Sequence, residues 1–386
     1  MTNRVAKAAA TLLAAAVAVL PATTGPAAHA TPSQPALAAP GAPMRILPHN
    51  PPATVPNFYE DDIRVPPEAF IVVCSQGPVG TVRTLDGTAQ RVMLTASHCI
   101  SQLEGMPELE EAVLVNIDGD YQRIGARGDA VDLDTGALTL LDPVGAFYTG
   151  DWGIVRIDDP VPATRLAYSR DQNGHVHGEP VELTSIKDYS VLAPGQLSFD
   201  VAGQPICKDG STTGRSCGTL MFRHNDAVFS WNLGYVPGDS GGVNYDPRDD
   251  SVIGVSSMVL GPVGKTQTAD RIVEAAYGIP DGQVNEHFAL DASTAPHAEF
   301  TASEAELSGI DAMIEELNPD YVPPVPLDEL DKAIGNAQQD TVRLAEDALR
   351  GQVNPAELQQ TADHHAGEIA KWAELALAEK VMPFFE

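Results

Sequence analysis

Short apolar or alternating runs recur from Phe70 onward, at Phe70-Ile71-Val72-Val73, Gly80-Thr81-Val82, Arg91-Val92-Met93-Leu94, Ala112-Val113-Leu114-Val115 and Gly153 to Ile157. They continue at Pro180-Val181-Glu182-Leu183, Leu197 to Val201, Val228 to Trp231 and Val252 to Val255, with Gly, Asp and Pro between them. Many short strands bounded by turn residues, with no helices interleaved, predict an all-β sandwich or barrel.

Helical spacing appears only late. Thr301-Ala302-Ser303-Glu304 has the spacing of a capping box, and Leu307, Ile310, Ile314 and Leu317 then fall on one face, predicting a terminal helix packed on the β-domain. Pro319, Pro323, Pro324 and Pro326 break that pattern and set a boundary. Beyond it, Leu330, Ile334, Ala337, Leu344 and Leu349 form a rough apolar stripe. Asn354-Pro355-Ala356-Glu357 starts a second helix, with Asn as cap and Pro at the first helical position. Leu358, Ala362, Ile369, Trp372 and Leu375 or Leu377 continue its face. Residues 327–386 therefore predict a helical hairpin that docks on the β-domain, or alternatively on a partner.

The N-terminal end reads differently. Arg4 and Lys7 precede an apolar stretch from Ala8 to Leu20, and Ala28-His29-Ala30 supplies a small-residue cleavage site. This is the pattern of a secretory signal over residues 1–30, and the stretch falls short of the ~20 residues that span a bilayer. Residues 31–66 carry Pro35, Pro40, Pro43, Pro48, Pro51, Pro52 and Pro56, a composition that favours an extended linker or a short pro-segment, as in a zymogen. The expected organisation is a signal (1–30), this segment (31–66), the β-domain (67–318), a Pro-rich linker (319–326) and the hairpin (327–386). With no later apolar span, the mature chain is expected to be secreted, soluble and without integral membrane association.

Charge removes one class of partner. The chain of 386 residues has 53 acids against 23 bases, a net charge of −30, which repels phosphate backbones and argues against nucleic-acid binding. Four cysteines in an exported chain imply two disulfides with three possible connectivities. Pairing Cys74 with Cys99 and Cys207 with Cys217 keeps each bridge local. Their spacings lack the C-x₂₋₄-C element of a zinc site.

The richest stretch for chemistry is Pro237-Gly238-Asp239-Ser240-Gly241-Gly242. A serine hydroxyl needs a base and a place for oxyanion charge, and flanking glycines let the backbone turn tightly around it. Upstream lie Leu94-Thr95-Ala96-Ser97-His98-Cys99 and Gly150-Asp151-Trp152-Gly153-Ile154-Val155-Arg156-Ile157. His98 is the candidate base and Asp151 the carboxylate that holds its tautomer. Many aspartates lie between His98 and Ser240, with Asp142 and Asp158 as alternatives; Asp151 is chosen because it opens an apolar run that would bury it. The N–H groups of Gly238 and Ser240 are the candidate oxyanion hole.

These motifs, in the order His, Asp, Ser, resemble those of the chymotrypsin-fold serine proteases, particularly the bacterial streptogrisin-like branch. Gly210-Ser211-Thr212-Thr213-Gly214 followed by Cys217-Gly218 resembles a loop and strand of the same branch. The resemblance covers roughly residues 68–318. It implies a double six-stranded antiparallel β-barrel (chymotrypsin-like), here with a C-terminal α-helical extension, and a triad in the cleft between barrels. It further implies a secreted bacterial serine endopeptidase acting on protein or peptide substrates without a cofactor or metal.

Departures from the family pattern are specific. Ser97 stands where Gly or Ala is usual, Val243 where Pro commonly follows the Gly pair, and no cysteine remains for a third disulfide near the nucleophile. No Ile/Val-Gly-Gly activation terminus is visible, and residues 31–66 do not match the large folding pro-region of some relatives. The pocket strand is expected at Gly254-Val255-Ser256-Ser257, with Ser257, Met258 and Val259 lining the substrate pocket. Met258 and Val259 replace frequent glycines and would narrow its mouth. No acid lies between Val228 and Pro237, so an apolar or small P1 residue is expected rather than Arg or Lys. The alternative function is a catalytically silent protease-fold binding protein of the cell envelope or host surface, with the hairpin as its interaction arm.

Weaker signals read as ordinary structure. His175 and His177 are expected on an exposed turn, His364 and His365 as a solvated pair, Trp152 in the core, and Asn116, Asp118 and Asp120 in a plain turn rather than around calcium.

Overall fold

The computed structural model describes residues 34–381 except 58, 60, 103–105, 133–148 and 351–353. The signal segment and Asp142 lie outside the described residues, as do the side chains of Leu349, Leu358 and Leu377. The architecture is mostly β among the described residues, with two large antiparallel sheets, two small two-stranded ones and C-terminal helices. Across the first sheet the order is Phe288–Leu290, Val79–Arg83, Ala89–Thr95, Gly153–Ile157, Asp120–Ala130, Ala112–Ile117, Pro43–Ile46 and Val72–Ser75. The second closes on itself as six strands: Gly214–His224, Pro205–Gly210, Val243–Asp246, Ser251–Leu260, Val263–Thr268, Ala227–Trp231, and back to Gly214–His224. Closure leaves these strands no free edge.

One apolar cluster joins the two sheets. Val92, Leu94 and Ile154 of the first pack with Val243, Tyr245, Val252 and Val255 of the second, and Trp152 packs against the same cluster. Helix Ala269–Tyr277 adds Ala269, Ile272 and Val273, the i, i+3, i+4 face of its turns. It stops at Gly278, whose φ of +65° is the left-handed conformation that suits a glycine C-cap. Asn116 to Asp120 form a hairpin turn in which Asp118 and Gly119 both have positive φ and Asn116 Oδ1 accepts the Gly119 N–H at 2.9 Å.

Residues Ala36 to Ile46 correct the linker expectation. Pro43–Ile46 is a strand inserted between Val72–Ser75 and Ala112–Ile117, and Ala36, Ala38, Ala39, Met44 and Ile46 are fully buried. Alanine side chains let backbone lie against backbone here: Ala36 N–H reaches Pro296 O at 2.8 Å and Ala38 N–H reaches Pro162 O at 3.1 Å. A composition that reads as linker is equally suited to close packing.

The capping box is not formed either. Helix Ser303–Leu307 has no side-chain cap; Ser303 Oγ accepts from buried Arg45 at 2.8 Å, and Thr301 Oγ1 donates to Asn116. Further on, Pro326–Leu349 and Pro355–Val381 form two antiparallel-spaced helices of a hairpin. Asn354 Oδ1 accepts the Ala356 N–H at 3.0 Å, and Tyr59 stacks on Trp372 with ring centroids 6.3 Å apart. His365 departs from its solvated reading: its Nε2 meets Asp340 Oδ2 at 2.9 Å across the two helices. No helix among the described residues is long and apolar enough to cross a membrane.

Candidate active site

Strand register brings His98 to Asp151. Ala89–Thr95 pairs antiparallel with Gly153–Ile157, with Thr95 opposite Gly153. Three residues past Thr95 and two before Gly153, the chains leave the sheet at the same end. His98 sits there in a 3₁₀ turn, Ser97–Cys99, which a Cys74–Cys99 disulfide (S–S 2.05 Å) ties to the strand Val72–Ser75. A Cβ on Gly153 would lie 2.8 Å from Ile100 Cδ1, so a larger residue there would push the Ile100 side chain aside.

Asp151 is held on every side. His98 Nδ1 lies 2.9 Å from Asp151 Oδ2, the His98 N–H donates to Oδ1 at 3.2 Å, and Ser257 Oγ donates to Oδ2 at 2.6 Å. The Asp151 N–H in turn donates to Gln267 Oε1 at 3.0 Å. Burial alone would raise the carboxyl pKa, but the His98 charge and hydrogen bond, Lys265 and Ser257 outweigh it and hold it at about 2. Burial lowers the His98 pKa, yet the Asp151 charge and hydrogen bond prevail and leave it above the ordinary imidazole value. With Nδ1–H committed to the carboxylate, Nε2 keeps its lone pair free for a proton.

Ser240 occupies a loop that glycine alone permits. Gly238 has φ +93° and Gly241 +78°, and a Cβ on Gly238 would lie 2.2 Å from Thr212 Oγ1. Ser75 grips the loop from one side, its Oγ donating to Gly238 O at 2.7 Å and its N–H to Ser240 O at 2.8 Å. From the other side, fully buried Asp239 accepts Lys208 Nζ at 2.9 Å, the N–H groups of Thr212 (3.1 Å) and Thr213 (3.0 Å), and Thr213 Oγ1 at 2.6 Å. Among the described residues, the N–H groups of Gly238 and Ser240 find no acceptor.

His98, Gly238, Ser240, Ser257, Met258 and Val259 line one cavity of about 400 Å³. No hydrogen bond joins His98 Nε2 to Ser240 Oγ among the described residues. A bulge between Ser256 and Met258 turns Ser257 toward Asp151, so its hydroxyl serves the carboxylate as well as bordering the pocket. Met258 packs on a cluster with Ala227 and Phe229, while Val259 is exposed. Cys207 and Cys217 form the second disulfide across directly opposed strand positions.

The other candidates lie elsewhere. Asp158 pairs with Arg123 Nε at 2.9 Å. His175 Nδ1 and His177 Nε2 both meet Asp171 Oδ2, at 3.2 and 3.1 Å, and Asp171 Oδ1 anchors the turn through the N–H groups of Asn173 and His175. Ser75, Lys208, Lys265 and Gln267 escaped the sequence reading. No motif marks them, and Pro205–Gly210 and Val263–Thr268 carry too many polar residues for an internal lysine to stand out.

No protein-family description and no curated protein matches the chain. Among solved structures it is similar to Thermobifida fusca protease A at 18% identity and TM-score 0.35, over 62% of this chain and 95% of that one. It is also similar to a chymotrypsin of Cellulomonas bogoriensis, at 18% identity and TM-score 0.34, over 57% and 91%. A third is an inactivated protease paralogue, S-I1, of the scabies mite, at 12% identity and TM-score 0.28, over 61% and 92%.

Proposed function

We propose that the protein is a secreted serine endopeptidase that cleaves peptide bonds through an acyl-enzyme. The observation that carries this reading is the buried Asp151 bonded to His98 Nδ1 at 2.9 Å, with His98 and Ser240 facing one cavity. In this scheme Ser240 Oγ attacks the scissile carbonyl carbon while His98 Nε2 takes its proton, and Asp151 stabilises the imidazolium. The free N–H groups of Gly238 and Ser240 receive the oxyanion, a term worth about 3–4 kcal/mol per donor in comparable sites. His98 then gives the proton to the leaving amine, and water repeats the sequence on the ester. The closed Ser240–His98 hydrogen bond forms as substrate seats, since such bonds are often long in free enzymes.

Met258 and Val259 beside the cavity, with no acid between Val228 and Pro237, support preference for an apolar or small P1 residue. The test is covalent labelling of Ser240 by a fluorophosphonate, read by mass spectrometry, together with cleavage of chromogenic peptides. Labelling lost in His98→Ala and faster cleavage after Ala, Leu or Phe than after Arg or Lys are expected. A protein that neither labels nor cleaves is the silent binding scaffold instead.

A further inference from the structure

Far from Ser240 in the sequence, three carboxylates gather where helix Ala269–Tyr277 ends. Asp188, Glu274 and Asp281 each place a carboxylate oxygen so that all three lie within 4.8 Å of one another. They come from separate segments: the stretch before Tyr189, the last turn of the helix, and the turn after it. Asp188 and Asp281 are exposed, but Glu274 is only 5% exposed.

A second observation points to a ligand. Glu274 Oε1 is buried and has no hydrogen-bond partner, while its other oxygen pairs with Arg271. An orphaned buried carboxylate oxygen costs about 1–3 kcal/mol or more, so it calls for an occupant. Arg271, the cation at the cluster among the described residues, is shared with Asp226 at 3.1 Å. The helix adds to the negative field, because its last carbonyls carry partial negative charge.

We propose that Asp188, Glu274 and Asp281 bind one calcium ion. An ion with oxygens at 2.3–2.6 Å accommodates ligand oxygens up to roughly 5 Å apart, so three oxygens within 4.8 Å of one another can share one. Magnesium at 2.0–2.1 Å demands a tighter octahedron, and zinc prefers nitrogen or sulfur. Water completes the shell on the exposed side. The ion pins the loop at Asp188 and the turn at Asp281 to the helix that seals the core shared by both sheets.

The test uses the full chain carrying Ser240→Ala, so that self-cleavage plays no part. After treatment with EDTA, calcium is titrated by calorimetry and thermal unfolding is followed in CaCl₂ or MgCl₂. One site per chain is expected, with Tm rising by roughly 5–10 °C at a hundredfold excess over Kd. Asp188→Asn with Asp281→Asn, both on the surface, is expected to abolish the calcium response and leave Tm in EDTA nearly unchanged. No response in the parent overturns the proposal, as does a response that survives in the double variant or an equal one to magnesium.

Discussion

Lys208 Nζ lies 2.9 Å from Asp239 Oδ2, and neither side chain has exposed surface. Asp239 immediately precedes Ser240, so this ion pair fixes the peptide whose N–H groups are free for an oxyanion. The cation comes from a strand of the closed barrel. Removing it strands a buried carboxylate, which typically costs about 3–5 kcal/mol. Lys208→Ala is expected to lower Tm and slow labelling of Ser240 together, as thermal unfolding and reagent kinetics will read.

The pH dependence follows from His98 and Asp151. In the proposed mechanism the reaction needs neutral His98, so kcat/KM is expected to rise with pH through a value above the ordinary imidazole pKa, since burial lowers that pKa but the Asp151 charge and hydrogen bond prevail. The stabilising contribution of protonated His98 is complete below about pH 6.5 and is lost as pH climbs through the raised value. For Asp151, burial is overcome and the carboxyl is held at about 2 against 3.8, so its contribution is present above pH 3.8 and lost as pH falls toward 2. In Asp151→Asn the limb moves down and kcat falls by about 10⁴-fold, which a pH–rate profile checks.

Ser257 is a positioning residue in the same network. Its hydroxyl donates to Asp151 at 2.6 Å, and a hydrogen bond to a charged group contributes about 1.5–3 kcal/mol. Ser257→Ala leaves Asp151 Oδ2 to His98 alone, so the acidic limb is expected to shift upward with little change in KM. An unaltered pH profile would refute this role.

Gly238→Ala tests the oxyanion loop. A methyl group 2.2 Å from Thr212 Oγ1, at φ +93°, forces the turn to move. Loss of one donor costs about 10²–10³ in kcat. Peptide hydrolysis is expected to fall by that factor while His98 keeps its pH limb.

The Cys74–Cys99 bridge closes a separation of 25 residues and anchors the turn that carries His98. Replacing both by Ala is expected to cost about 2–4 kcal/mol in unfolding free energy. Denaturant unfolding measures it, and labelling of Ser240 should slow as well.

Much of this architecture was legible in the chain. Alternation at Arg91 to Leu94 and Gly153 to Ile157 marks strands that do pair, and the glycines around Ser240 mark a turn that only they permit. Cysteine locality pointed to both bridges. What escaped depends on partners remote in sequence: Lys208 has meaning only beside Asp239, and Ser257 faces Asp151 through a bulge that no local pattern announces. At Ala36 to Ile46 the pattern is ambiguous, since small residues and prolines describe a spacer and a tightly packed strand equally well.

That early strand is part of the scaffold of the site. Pro43–Ile46 is clasped between two neighbours, and Arg45 from it anchors Glu306 and Ser303 hundreds of positions away. A cut that released this piece would open the sheet beside Cys74, whose disulfide anchors the turn carrying His98. The protein must keep as scaffold what its composition advertises as disposable.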